Sequence, residues 1–160
     1  YQGGGSMIED VNILNSTYAS GFEKFEAGTP PIAEVIGLSS AIDFVLETNL
    51  KNIFSHEMTL HNYALEKLKS INDIKILGES RNKGAIISFN IEGIHYNDLS
   101  LLLDKKNIAV RSGHHCAQPL MKYYKIDGTA RMSFGVYNTK DDVDYFIQSL
   151  NEVMKILKNV

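Results

Sequence analysis

Near residue 72 the spacing of apolar residues changes from a helical period to short runs, and this change limits the folds open to the 160-residue chain. From Ile32 to Leu46, the residues Ile32, Val35, Ile36, Leu38, Ala41, Ile42, Val45 and Leu46 recur at helical spacing. Pro30 or Pro31 suits a helix start, so a buried helix is expected here. Residues 50–70 repeat the period through Ile53, Met58, Leu60, Tyr63, Ala64, Leu65 and Leu68, with Glu66 and Lys67 turned to solvent, which predicts an amphipathic helix. After Asn72-Asp73 come IKIL at 74–77 and AIISFNI at 85–91, split by the polar turn GESRNKG, the pattern of paired strands.

Residues 95–106 return to helical spacing through Leu99, Leu102 and Leu103, and NIAV at 107–110 predicts a short strand. A short helix is expected over 118–124, and TARMSFGV at 129–136 alternates as a strand. Thr139 is placed to N-cap a last helix with Val143, Phe146, Ile147, Leu150, Val153 and Leu157 on its apolar side. Residues 7–31 have no helical period and end in the breaker cluster FEAGTPP, so hairpin and loop are expected, without a core of their own. Strands mixed with helices and hairpins predict an α+β domain with a mainly antiparallel sheet and flanking helices, and the first 31 residues are expected to belong to something larger.

Charge and cysteine content narrow the function. A net charge of −3 supplies no broad cationic field for phosphates, so neither nucleic acid nor a membrane surface is expected as a partner. The single cysteine cannot form an internal disulfide, and no secretory leader or long apolar span is present, which points to a reducing intracellular compartment. The chain starts at Tyr1 and runs into QGGGS, which reads either as a flexible engineered linker or as a glycine-rich turn inside a longer protein.

That cysteine, Cys116, lies in RSGHHCAQPL at 111–120. A lone cysteine is often a small buried hydrophobe. Here Gly113, His114 and His115 before it and Gln118-Pro119 after it form a polar loop, where a thiol is accessible. Imidazolium or guanidinium groups at His114, His115 and Arg111 would favour a nucleophilic thiolate. A zinc site is a second reading, because imidazole and thiolate are both zinc ligands, but adjacent ligands do not converge and no second pair completes the shell. His56 and His61 are five residues apart and do not share a helix face, which suits surface or packing roles. A Cys-His hydrolase is a third reading, disfavoured because neighbours on an extended chain point apart.

The run RSGHHCAQPLM resembles the RxGHHCAxP active-site signature of the group II, Suf-type cysteine desulfurases, a branch of the class V aminotransferase fold. GGGSMI at 3–8, FEAGTP at 25–30, VIGLSSAIDFV at 35–45 and ARMSFGVYNT at 130–139 follow the same family's order. The resemblance implies the C-terminal portion of a fold-type I pyridoxal-phosphate enzyme. Residues 1–48 would be the tail of the large cofactor-binding domain, and 49–160 the small domain with the cysteine loop. It also makes the glycines the family's hairpin rather than a linker.

The implied reaction takes sulfur from L-cysteine, releases L-alanine and leaves a persulfide on Cys116, for delivery to an acceptor protein of iron–sulfur cluster assembly. Arg131 matches the arginine for the substrate carboxylate, and Arg111 and His115 line the thiol loop. Thr29 and Gly28 match the position that reaches the cofactor phosphate of a neighbouring subunit, which implies a homodimer. A cytoplasmic location follows, with a plastid-type organelle as the alternative. No lysine follows a histidine, as the family's Schiff-base lysine does, so the chain alone is expected to be inactive. Selenocysteine lyase activity and a stand-alone sulfur-carrier or docking domain are the alternatives.

Overall fold

The structure is a computed structural model that describes residues 3–78, 80 and 82–159; two residues of the expected 78–84 turn, Glu79 and Arg81, lie outside the described residues. The chain divides into two compact units, Tyr1–Asn49 and Leu50–Val160.

In the first unit, β1 (Ile8–Val11) and β2 (Ser16–Tyr18) pair antiparallel. Asn12 N–H donates to the Asn15 carbonyl at 2.8 Å and leaves Ile13 and Leu14 exposed at the tip. A single 3-10 turn at Glu23–Phe25 leads into FEAGTP, where Gly28 has φ +86° and donates its N–H to the Gly5 carbonyl at 2.7 Å. That bond ties the glycine-rich segment to the FEAGTP turn.

Helix α1 (Ile32–Thr48) forms where its spacing predicts it, but it has no buried residue. Ile32, Val35, Ile36, Leu38, Ile42, Phe44 and Leu46 are all exposed, which corrects the expected burial. Its apolar residues surround the axis instead of forming one stripe, a pattern that suits a helix covered on several sides.

The second unit contains α2 (Leu50–Lys69), β3 (Ile74–Leu77), β4 (Ile86–Ile91), α3 (Tyr96–Asp104), β5 (Arg111–Gly113), α4 (Gln118–Tyr124), β6 (Thr129–Ser133) and α5 (Lys140–Lys158). Its sheet has the order β3-β4-β6-β5 with every pair antiparallel, as the α+β reading expected. Alternation along the strands separates two faces. Ile87, Phe89 and Ile91 of β4 and Ala130 and Met132 of β6 join Leu60, Ala64 and Leu68 of α2, Leu99 and Leu103 of α3, and Val143, Phe146, Leu150 and Val153 of α5 in one core. Phe89 meets Phe146 edge to face, with ring centres 6.2 Å apart. The opposite face carries Ser88, Thr129 and Arg131, and it is the face on which the thiol turn closes.

Helix α5 is fixed by a capping box: Thr139 Oγ1 accepts from Asp142 N–H at 3.3 Å and Thr139 N–H donates to the Asp142 carboxylate at 2.8 Å. The strand expected at 107–110 lies instead at 111–113. Ile108 N–H donates to the Leu103 carbonyl at 3.1 Å, and the Val110 carbonyl accepts from the Ser100 hydroxyl at 3.2 Å. The backbone of this segment is therefore bonded to α3, and only its side chains, Ile108 and Val110, pack as a strand's would. Strand β6 stops at Ser133 because Gly135 N–H donates to the Asn138 side chain at 2.9 Å, which turns the chain toward α5.

His61 is completely buried on α2, and His56 is exposed with Nε2 3.0 Å from the Asn138 carbonyl, in keeping with packing and surface roles. None of the described helices is long and apolar enough to cross a membrane.

Candidate active site

The site begins where β5 ends. Gly113 has φ +113°, His115 φ +54° and Cys116 φ +59°, and the His114 carbonyl accepts from Ala117 N–H at 2.9 Å. Two successive left-handed residues closed by such a bond give the geometry of a type I′ turn, which is normally built from Asn-Gly or Gly-Gly. Each non-glycine residue held this way costs about 1–2 kcal/mol. The cost presents the only cysteine, exposed, at the tip of a short loop.

Arg111, at the start of β5, donates from Nη2 to Cys116 Sγ at 3.6 Å. It places a positive charge beside the sulfur, the partner that a nucleophilic thiolate needs. Across the β5–β6 pairing Arg111 stands opposite Arg131, and Arg131 stands opposite Ser88 on β4. Like charges directly opposite in a sheet repel, and a bound anion between them relieves the repulsion. Arg131 Nε is buried without a hydrogen-bond partner among the described residues, so it has a donor to offer such an anion.

His115 turns inward. Its Nε2 lies 2.7 Å from the Thr129 hydroxyl and 3.1 Å from the Thr129 carbonyl. A carbonyl can only accept and a hydroxyl can do either, so the contact to the carbonyl is a hydrogen bond in the tautomer with the proton on Nε2; Nδ1 is buried without a partner among the described residues. Burial holds the imidazole pKa below its ordinary value, and the neighbouring Arg131 charge adds to the effect. His115 is thus directed to Thr129, and Arg111 is the cation in contact with the sulfur. His114 is exposed.

The structure thus brings Arg111, His115, Cys116 and Arg131 together on two adjacent strands and the turn. Thr129 joins them and was not singled out from the sequence; the available signal was its place two residues before Arg131 on an alternating strand, which puts both on one face. Among the described residues, no three His, Cys, Asp or Glu side chains converge to hold a metal ion. Gly28 and Thr29 lie in the other unit.

A family model for class-V aminotransferases matches residues 1–146. The chain belongs to the class-V aminotransferase family. It is 43% identical over 157 residues to a probable cysteine desulfurase of Xylella fastidiosa, a match covering 98% of this chain and 38% of that protein. Among solved structures it is similar to the Escherichia coli cysteine desulfurase CsdA in its S-sulfonic acid form, with TM-score 0.79 and 33% identity over 98% of this chain and 39% of that one. It is likewise similar to the apo cysteine desulfurase of Thermococcus onnurineus, with TM-score 0.77, 38% identity and the same coverage. The chain therefore spans less than half the length of these relatives.

The family's cofactor, pyridoxal phosphate, needs an imine-forming lysine and a cradle for its phosphate. The hollow around Gly28 and Thr29 is lined by Glu23, Glu26, Pro30 and Pro31, and the Gly28 amide is already bonded to Gly5. Thr29 contributes an exposed hydroxyl, but among the described residues two carboxylates and no cation line the hollow. These residues by themselves do not fit a phosphate dianion, and among the described residues no lysine is one of the groups at the thiol turn.

Proposed function

We propose that this chain is the sulfur-accepting part of a pyridoxal-phosphate-dependent cysteine desulfurase, with Cys116 as the acceptor thiol. The observation that carries the reading is the exposed thiol on a strained turn, 3.6 Å from one arginine and next to the strand that presents a second. The names of its relatives support the same activity.

In this reading Arg131 binds the α-carboxylate of L-cysteine through paired N–H donors, a task for which a lysine's single ammonium is a poor replacement. Arg111 places its charge beside the Cys116 sulfur. That sulfur attacks the sulfur of the substrate: a new S–S bond forms, the C–S bond breaks, and its electron pair stays with the carbon skeleton, which takes up a proton to become L-alanine. The thiol's hydrogen and the substrate's sulfur are thereby accounted for as alanine plus a Cys116 persulfide. The turn then presents the terminal sulfur to an acceptor protein of iron–sulfur cluster assembly. His115 is directed to Thr129 rather than to the sulfur, so Arg111 is the cation beside it.

The cofactor and its lysine belong to chain beyond these 160 residues, consistent with the 38% share of the relative that is matched. Residues 1–48 are the tail of the cofactor-binding domain and 49–160 the small domain. Thr29 reaches the cofactor phosphate of a second subunit through its hydroxyl, in a homodimer whose other residues supply the cations. The enzyme works in the cytoplasm.

The test uses the whole protein that carries this chain. After incubation with L-cysteine, the peptide containing Cys116 should gain the mass of one sulfur atom as alanine appears, and Cys116→Ala should abolish both. Undiminished alanine release by Cys116→Ala would sink the assignment. Alanine release by the 160-residue chain alone would refute the placement of the cofactor lysine, and a faster reaction with selenocysteine would favour lyase activity.

A further inference from the structure

Two left-handed residues in succession persist only where their surroundings hold them. At the thiol turn the His114–Ala117 bond belongs to the turn itself, and the Arg111–Cys116 contact joins two exposed side chains. The remaining hold is different. His115 reaches from the tip of the turn to Thr129, which is 1% exposed, and meets both its hydroxyl and its carbonyl.

Thr129 is also the residue paired with Gly113, where the chain enters the turn. One residue of β6 thus fastens both the entrance of the turn, through strand pairing, and its tip, through the imidazole. The hydroxyl is the nearer contact, at 2.7 Å against 3.1 Å for the carbonyl. A β-branched residue has few χ1 rotamers available, so the hydroxyl is held ready for the ring.

We propose that Thr129 is the positioning residue of the thiol turn: acting through His115, its hydroxyl keeps the left-handed pair in place and Cys116 beside Arg111. The purpose of that positioning rests on reading Cys116 as the acceptor thiol, but the geometry can be tested without it. Thr129→Val keeps the shape and removes the hydroxyl. Thr129→Ser keeps the hydroxyl. His115→Ala cuts the tether from its other end.

Hydrogen exchange of the Ala117 amide reads the turn, and alkylation of Cys116 by iodoacetamide at neutral pH reads the thiol. In the whole protein that carries this chain, Thr129→Val and His115→Ala should each speed exchange at Ala117 about tenfold and leave the amides of Phe89 and Leu150 unchanged. Both should slow alkylation by roughly threefold as the sulfur leaves Arg111. Thr129→Ser should stay within about twofold of the parent on both readouts, and combining Thr129→Val with His115→Ala should add nothing beyond either alone.

Parental behaviour of Thr129→Val overturns the proposal, and so does a Thr129→Ser variant as perturbed as Thr129→Val. If Thr129→Val does not fold, unchanged Ala117 exchange in His115→Ala overturns it equally. None of these measurements involves cysteine turnover, so failure here leaves the desulfurase reading intact, and the reverse holds too.

Discussion

Replacing Gly128 with alanine tests the packing that sets β6 against the thiol turn. A Cβ on Gly128 would lie 2.6 Å from Tyr96 Cζ, 2.9 Å from Tyr96 Cε1 and 3.0 Å from the Gly113 carbonyl carbon. The Tyr96 ring is not free to swing away, since it stacks on His95 with ring centres 4.2 Å apart and donates its hydroxyl to the Asp127 carbonyl at 3.3 Å. Gly113 is backbone within the β5–β6 pairing. Overpacking of this kind costs about 1–3 kcal/mol, and at roughly 4 °C per kcal/mol for a unit of this size the melting temperature should fall by about 4–12 °C. Gly84→Ala is the control, because a Cβ there meets nothing within 4 Å; it should change stability by less than about 0.5 kcal/mol or raise it slightly. Urea titrations followed by circular dichroism, with thermal melts, measure both. Tyr96→Ala combined with Gly128→Ala should lose about 1 kcal/mol less than the two changes summed. Equal losses for Gly84→Ala and Gly128→Ala, or none for Gly128→Ala, would refute the steric reasoning.

Cys116→Gly should be more stable than Cys116→Ala by about 1 kcal/mol in the same titrations, because glycine has no Cβ to oppose a φ of +59°. Thr139→Ala should cost about 1 kcal/mol through loss of the α5 capping box. Acid should weaken the fold in two steps. Burial lowers the pKa of both His61 and His115, so the folded state binds fewer protons than the unfolded one; their contribution is full above about pH 6.5 and falls as the pH drops below it. The carboxyls of Asp144 and Glu152, lowered by hydrogen bonds from Lys67 and Lys106, lose their contribution only below about pH 4. Urea midpoints measured from pH 8 to 3 should follow this course, and a flat profile between pH 7 and 5 would contradict the histidine step.

Much of the second unit was legible because period and burial agree there. The stripe of α2, the alternation of β4 and the Thr139 cap each record one physical requirement in one short stretch. Residues 107–110 misled because apolar alternation reports where side chains pack, whereas a strand is defined by backbone bonds, and Ile108 and Val110 send theirs to α3. In α1 the helical spacing was sound, but burial depends on what covers a helix, and no residue within a helix encodes that. The turn at His115 and Cys116 carried no sequence signal, because left-handed turns are recognised by Asn and Gly and this one is held by a contact fourteen residues away. The resemblance located the thiol, and the structure added which neighbour touches the sulfur and which is directed away to Thr129.

Strand β6 serves the core and the reactive face with alternate residues: Ala130 and Met132 on one side, Thr129 and Arg131 on the other. A slip of one residue in its pairing would drive the Arg131 guanidinium in among Phe89, Phe146 and Leu150 and push Met132 out into water. An unpaired charge in such a core costs several kcal/mol, so the slipped chain would not stay folded. The interior of the unit thereby acts as quality control for its chemistry: any copy whose core has closed also presents its arginine on the correct side.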